Sequence, residues 1–364
     1  MPAPKPHSGT MLITGANGYL ALWAVQKHLE SGYNVRATVR SASKKAWLEN
    51  EVFKVFNASE SERQLEVVVV EDMTKPGAFD EAVKGVDAIQ HVASPTDVDT
   101  DDPDVYIKPA VDGTLGLLHS ALVHGSSLKR VVYTSSTGAV FTPGMTAPTT
   151  FTERDWNNKS IEIVKEQGKN APKHTWYLAS KSLAEKTAWD FYEKHKKEVN
   201  WDFSVVCAPW LLGPGLKPVP HPQDLNASIK IFYETCILDT PKTADQMAHA
   251  NTFIDVRDLA DMYVKMLEVE EAGGERFIIA KGIASWQDWV DLINHPSFAA
   301  SLPPPPSQSQ NQRSNTKGFP GTKGNYLNLY DVSKAERILA PVSTFRSMEH
   351  TARDMVGQWV LAGY

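Results

Sequence analysis

Within Tyr177-Leu178-Ala179-Ser180-Lys181 a phenol and an ammonium stand four residues apart, which puts both on one face of a helix. A nearby cation favours phenolate, so this pairing is expected to lower a phenol pKa from about 10 toward neutrality and to ease proton exchange with a bound carbonyl or alcohol. Spacing alone does not select the pair, because Tyr192 with Lys196 and Tyr330 with Lys334 repeat it. Context does. Tyr177 begins the helix that follows a strand ending in Thr134-Ser135-Ser136-Thr137-Gly138, where a hydroxyl can emerge at the carboxyl edge of a sheet. Tyr192 falls about four turns further along that helix, and Tyr330 lies beyond a Pro-rich segment.

A second constellation suits an anionic cofactor. Thr14-Gly15-Ala16-Asn17-Gly18-Tyr19-Leu20-Ala21 follows an apolar strand and opens a helix. Glycines there let the chain turn tightly and let a pyrophosphate approach the positive end of the helix. The second strand ends in Val39-Arg40-Ser41-Ala42-Ser43-Lys44-Lys45, with no acid to accept hydrogen bonds from ribose hydroxyls. Arg40 offers a planar contact to a 2′-phosphate and Lys44, one turn on, a point charge, so NADPH is expected over NADH. Asp72-Met73, just past the third strand, is placed to meet the adenine, with a simple turn as the alternative for Asp72.

These residues need a frame. Short β-branched runs at 10–14, 34–40, 65–70, 88–93, 130–135 and 203–208 alternate with helical patterns ending at Glu30 and spanning 42–56, 77–84, 104–124 and 177–197. Strands separated by helices imply parallel pairing through right-handed crossovers. The expected fold is α/β, a Rossmann-type doubly wound parallel sheet with a smaller C-terminal substrate-binding lobe. Residues 8–208 form the NADP-binding domain, 251–267 return to it, and 209–250 with 268–364 form the lobe. In the strand-to-helix unit 253–267, Asp258 is the expected cap. Residues 302–323, with four consecutive prolines, read as a flexible surface loop, and 142–176 as a long connection.

Composition narrows the functions. The chain has 364 residues, a formal charge of −6, 42% hydrophobic and 22% charged residues, and no long basic block, so a nucleic-acid partner is not expected. Cys207 and Cys236 cannot build a disulfide framework or a four-thiolate zinc site. The N-terminus lacks the apolar stretch of a secretory signal, and no run approaches a membrane span, so a cytoplasmic, non-membrane protein is expected. No His-x-x-x-His helical pair with an intervening Glu appears, and Asp97, Asp99, Asp101, Asp102 and Asp104 lack EF-hand spacing; no metal is expected. His91 reads as a hydrogen-bonded residue at a strand end rather than a base.

Eight strings in order, TGANGYLA, VRSASK, VEDM, HVASP, TSSTGAV, YLASKSLAEK, APWLLGPG and FIDVRDLA, span about residues 10 to 265. Together they resemble an extended short-chain dehydrogenase/reductase, of the group that holds dihydroflavonol 4-reductases and fungal NADPH-dependent aldehyde and ketone reductases. The resemblance implies that Tyr177 is the catalytic acid, that Lys181 holds the cofactor ribose and lowers the tyrosine pKa, and that Ser136 hydrogen-bonds the substrate oxygen. It implies that Gly15, Asn17, Gly18, Tyr19 and Leu20 line the pyrophosphate, Arg40 and Lys44 the 2′-phosphate, and Asp72 and Met73 the adenine. Ala93 and Ser94 then lie near the middle of the cofactor, Pro209 and Leu212 flank the nicotinamide, and Ser228 lies near the cofactor. Ser94, Thr137, Trp210 and Phe232 are candidates for the substrate pocket, with core packing the alternative for Trp210 and Phe232. Ala21 departs from the commoner third glycine. The implied activity is NADPH-dependent reduction of a small carbonyl compound by a monomer or homodimer. The competing readings are a sugar-nucleotide epimerase or dehydratase and a catalytically silent NADPH-binding regulator.

Overall fold

A computed structural model describes residues 9–54, 64–94, 100–217, 219–304 and 316–363. Residues 55–56 of the second helical pattern, Asp97, Asp99 and the stretch 305–315 lie outside them.

Seven parallel strands form the main sheet: β1 Thr10–Ile13, β2 Asn34–Val39, β3 Leu65–Val69, β4 Ala88–His91, β5 Arg130–Ser136, β7 Asp202–Ala208 and β10 Arg276–Ile278. Their spatial order is β10-β7-β5-β4-β1-β2-β3. The order reverses between β1 and β4, where an open α/β sheet leaves a crevice at its carboxyl edge. All seven residues of β7 are buried, as expected of a strand covered on both faces.

Alternate strand residues feed two cores. Met11, Ile13 and Val206 pack with helices α1 Tyr19–Glu30 and α8 Val256–Glu268 on one face. Leu12, Val205 and Cys207 pack with α3 Asp80–Val83, α4 Asp104–His124 and α6 Lys173–His195 on the other. The shorter α2 Ala42–Trp47 and α5 Asn158–Gln167 complete this half of the molecule.

The C-terminal half builds a smaller sheet, β11-β9-β8, from β8 Trp210–Leu212, β9 Ala250–Asp255 and β11 Gly282–Ser285. Around it α7 Ala227–Cys236, α9 Trp286–Ile293 and α10 Met348–Ala362 enclose a third core rich in tryptophan: Trp286, Trp289 and Trp359. No helix among the described residues is long and apolar enough to cross a membrane.

Three expectations change, and the long connection gains a structure. The seventh main-sheet strand is β10, within the stretch assigned to the lobe, whereas β9, assigned to the main domain, pairs with β8 and β11 in the smaller sheet. The three-residue β10 is too short to announce itself in the pattern. The 142–176 connection is ordered: β6 Thr149–Phe151 pairs in parallel with β12 Asn328–Tyr330, and Asn157 caps α5 through the Ser160 N–H. The second half of the 302–323 segment is anchored, with Thr316 buried and its carbonyl and that of Lys317 accepting from Asn294 and Gln287. Finally, Asp255 rather than Asp258 caps α8, accepting the Arg257 N–H at 2.9 Å. Asp258 sits three residues inside the helix and accepts the backbone N–H of Arg346 at 2.7 Å.

Candidate active site

The loop after β1 lies at the crevice. Gly15 adopts a positive φ of 67°, and a Cβ there would come 3.0 Å from the Ala93 Cα just past β4, so both backbone conformation and space call for glycine. Thr38 takes the Gly15 and Ala16 amides, and the Gly15 carbonyl takes that of Gly18. The amides of Asn17, Tyr19 and Leu20 find no acceptor among the described residues, and the first turn of α1 carries no acid. Gly18 is exposed and Asn17 half-buried, so these donors open toward solvent at the positive end of a helix. Leu20 and Ala21 bury their side chains beneath, and alanine fills the third small position without opening the helix–sheet contact.

Thr14 clamps the two strand ends together. Its hydroxyl accepts the Val92 and Ala93 amides, each at 3.1 Å, which commits its proton to His91 Nδ1 at 2.8 Å. His91 is thus neutral with its proton on Nε2, and burial together with the Lys181 charge pushes its pKa down to about 3. Ser94 follows, half-buried.

At the end of β2, Arg40 and Lys44 are exposed, and neither makes an ion pair among the described residues. Lys44 Nζ lies 5.8 Å from the Trp47 ring centroid. Ser41 caps α2. Asp72 is exposed and forms a local turn, accepting the Thr74 amide at 2.9 Å and hydroxyl at 2.6 Å; these bonds hold its carboxyl below the usual range. Met73 presses against α4 at Gly113, where a Cβ would overlap its side chain.

Ser136 ends β5, and its hydroxyl accepts the Gly138 amide at 3.0 Å. A Cβ at Gly138 would lie 2.7 Å from Leu178 Cδ2, so the missing side chain lets α6 lie against this turn. That contact brings Tyr177 to Ser136. Burial raises the Tyr177 phenol, and the nearby Ser136 hydroxyl acts the other way. The expected lowering toward neutrality is therefore corrected: burial of the phenolate raises the phenol, and the Lys181 nitrogen stands 5.9 Å from the ring centroid. Lys181 is 4% exposed; burial lowers it to about 8, and Glu185 raises it.

The two repeated Tyr/Lys pairs have other partners. Tyr192 stacks on Trp201 with centroids 5.6 Å apart, while Lys196 pairs with Glu193. Tyr330 packs on Phe151 with its hydroxyl near Thr137, and Lys334 pairs with Glu275 at 2.9 Å. The C-terminal segment therefore returns to within one residue of Ser136, which no local pattern announces.

The lobe approaches from β7. Buried Pro209 leads into β8, Leu212 is 2% exposed, and Ser228 at the start of α7 donates to the Leu211 carbonyl at 3.0 Å. The Tyr19 hydroxyl donates to the Gly213 carbonyl at 2.7 Å and Trp23 Nε1 to that of Pro214 at 3.0 Å, tying α1 to the exit of β8. Trp210 is half-buried, edge-on to Trp286. Phe232 is corrected: it is fully buried, with ring contacts to Trp286, Trp289 and Trp359, and serves the lobe core rather than a pocket wall.

Sequence reasoning missed one cluster altogether. Glu185, one turn past Lys181, is fully buried and accepts Arg276 Nε at 2.6 Å and the Ser135 hydroxyl at 2.5 Å. Arg276 also donates to the Glu153 and Asp155 carbonyls and lies 3.9 Å from the Trp156 ring centroid. The only local signal is the Glu four residues after Lys181; its partner is 91 residues away.

A model of the NAD dependent epimerase/dehydratase family matches residues 11–280. The chain belongs to this family, the extended short-chain dehydrogenases/reductases. It is 31% identical to the ketoreductase azaE of Aspergillus niger over 352 residues, covering 95% of this chain and 96% of that protein. It is 30% identical to aldehyde reductase 2 of Sporidiobolus salmonicolor over 363 residues, covering 98% and 97%. The solved structure of the yeast methylglyoxal/isovaleraldehyde reductase Gre2 complexed with NADPH superposes with a TM-score of 0.79 at 27% identity, covering 96% of this chain and 97% of that one. Both of these relatives are named as reductases, and the protein is an oxidoreductase of the short-chain dehydrogenase/reductase type.

Proposed function

We propose that this protein is an NADPH-dependent carbonyl reductase that converts an aldehyde or ketone to an alcohol, with Ser136, Tyr177 and Lys181 as its catalytic set. The observation that carries the reading is the nearness of the Ser136 and Tyr177 hydroxyls at the end of β5, with Lys181 buried one turn along the same helix as Tyr177.

The residues present fit the cofactor. Unaccepted amides at Asn17, Tyr19 and Leu20 suit a pyrophosphate, exposed Arg40 and Lys44 a 2′-phosphate, and the buried Lys181 ammonium a ribose hydroxyl. Asp72 and Met73 then border the adenine, Ala93 and Ser94 the middle of the cofactor, and Pro209, Leu212 and Ser228 the nicotinamide side. NADPH, when bound, supplies the hydride.

The chain's own residues supply the rest. Ser136 and Tyr177 donate hydrogen bonds to the substrate oxygen, where negative charge develops, and such donors bind the transition state better than the ground state. Tyr177 then gives its proton to that oxygen. Its raised pKa keeps it protonated across neutral pH, which suits reduction. Thr137 and Trp210 stand at the substrate side, and the substrate is a small molecule.

An absorbance assay of NADPH against a panel of aliphatic, aromatic and polyketide-like aldehydes and ketones tests the activity. Consumption with at least one compound is expected. Silence across the panel, with NADPH still bound, contradicts the reading and favours a non-catalytic binder.

A further inference from the structure

We propose that Glu185 is a positioning residue for the reaction centre, whose buried carboxylate holds Lys181 in its charged form and fixes helix α6 against the strand that carries Ser136. This rests on the catalytic reading of Tyr177 and Lys181 above.

The geometry supports both parts. Glu185 lies four residues past Lys181, on the same face of α6, with no exposure to solvent. One carboxylate oxygen accepts the hydroxyl of Ser135, the residue immediately before Ser136. The other accepts Arg276 Nε from β10. A single side chain thus joins the catalytic helix to β5 at the serine and to the last strand of the sheet. Arg276 is immobilised in turn by the carbonyls of Glu153 and Asp155 and by the face of Trp156.

The electrostatics run the same way. Burial favours the neutral amine at Lys181, and the negative charge of Glu185 opposes it. The charged and titratable groups facing this pair are Tyr177 on α6, His91 at the end of β4, Tyr133 on β5, Cys207 on β7, Arg276 on β10 and Glu153 after β6. Burial holds Tyr133 and Cys207 protonated and His91 unprotonated, so near neutral pH none of these three carries a charge that could replace Glu185.

The test reads Lys181 itself. Lysine 13Cε resonances of the cofactor-free chain are followed against pH, with the Lys181 signal identified by its loss in Lys181→Arg. In Glu185→Gln the Lys181 midpoint is expected to fall by about one pH unit, equivalent to about a tenfold change in the equilibrium. The alkaline limb of the turnover profile is expected to move down with it. If Glu185→Gln does not fold, the double variant Glu185→Gln/Arg276→Met removes the unpaired arginine charge, and its midpoint, read against Arg276→Met so that the lost cation cancels, is expected to move in the same direction. An unmoved midpoint in the variant that folds overturns the proposal. Tyr177→Phe separates this from failure of the catalytic reading: retained turnover there sinks the reading, while a dead Tyr177→Phe with an unmoved Lys181 midpoint sinks only the role of Glu185.

Discussion

Two buried arginine–carboxylate pairs brace the main sheet, and they differ in what surrounds them. Arg130, at the start of β5, donates Nε to Asp202 at 2.6 Å and bonds the carbonyls of Met266, Val269 and Glu270. Those carbonyls end α8 and the turn after it, so this pair terminates a helix at the amino edge of the sheet, away from the crevice. Arg276 and Glu185 use the same chemistry at a strand–helix junction, yet Glu185 shares its helix face with Lys181 and its carboxylate with Ser135. The lesson is that a buried ion pair of one geometry serves the fold in one place and a reaction centre in another, and only the neighbours distinguish them.

That contrast is open to breakage. Asp202→Asn leaves the Arg130 charge buried and unpaired, for which about 3–5 kcal/mol of lost stability is expected by chemical denaturation. The shape of its pH–rate profile should match wild type; a moved limb would erase the distinction between the two pairs.

Gly138→Ala probes the other side. A methyl group there meets Leu178 and approaches Ser136, so it should push α6 from the serine turn. The expected stability loss is about 1–3 kcal/mol, with turnover falling further than that loss of folded protein explains. Turnover that tracks the folded fraction alone would show that the α6 contact does not set the site.

The smallest effect concerns two buried histidines. His28, held to about 4 by burial, sits in α1 remote from the crevice, and His91, at about 3, sits beside Thr14. Both bind a proton in the unfolded chain below about 6.5 but not in the folded one until far lower. Each therefore contributes stability that is full above about pH 6.5 and declines as pH falls, by about 1.4 kcal/mol per pH unit. Urea titrations between pH 7 and 5 should show this slope in wild type and a shallower one in His28→Gln. An unchanged slope would show that His28 charges freely in the folded state.

Much of this architecture is legible in the sequence because its signals are local. Alternating β-branched runs and helical periods mark six of the main-sheet strands, and the pattern for 104–124 coincides with α4. The glycine loop announces its own turn. What escapes is long-range. Two aspartates stand three residues apart at the start of α8, and only the fold shows that Arg346 claims Asp258 and leaves the cap to Asp255. Phe232 looks the same on a lobe helix whether it faces a pocket or three tryptophans. The direction of the Tyr177 shift depends on burial, which spacing to Lys181 does not reveal.

The central claim is that Tyr177 supplies the proton. Tyr177→Phe keeps the ring and its packing and removes only the hydroxyl. NADPH binding measured by fluorescence should stay within about threefold of wild type, while turnover of a carbonyl substrate should fall by about 10²–10⁴-fold. Turnover close to wild type with intact NADPH binding would contradict the account.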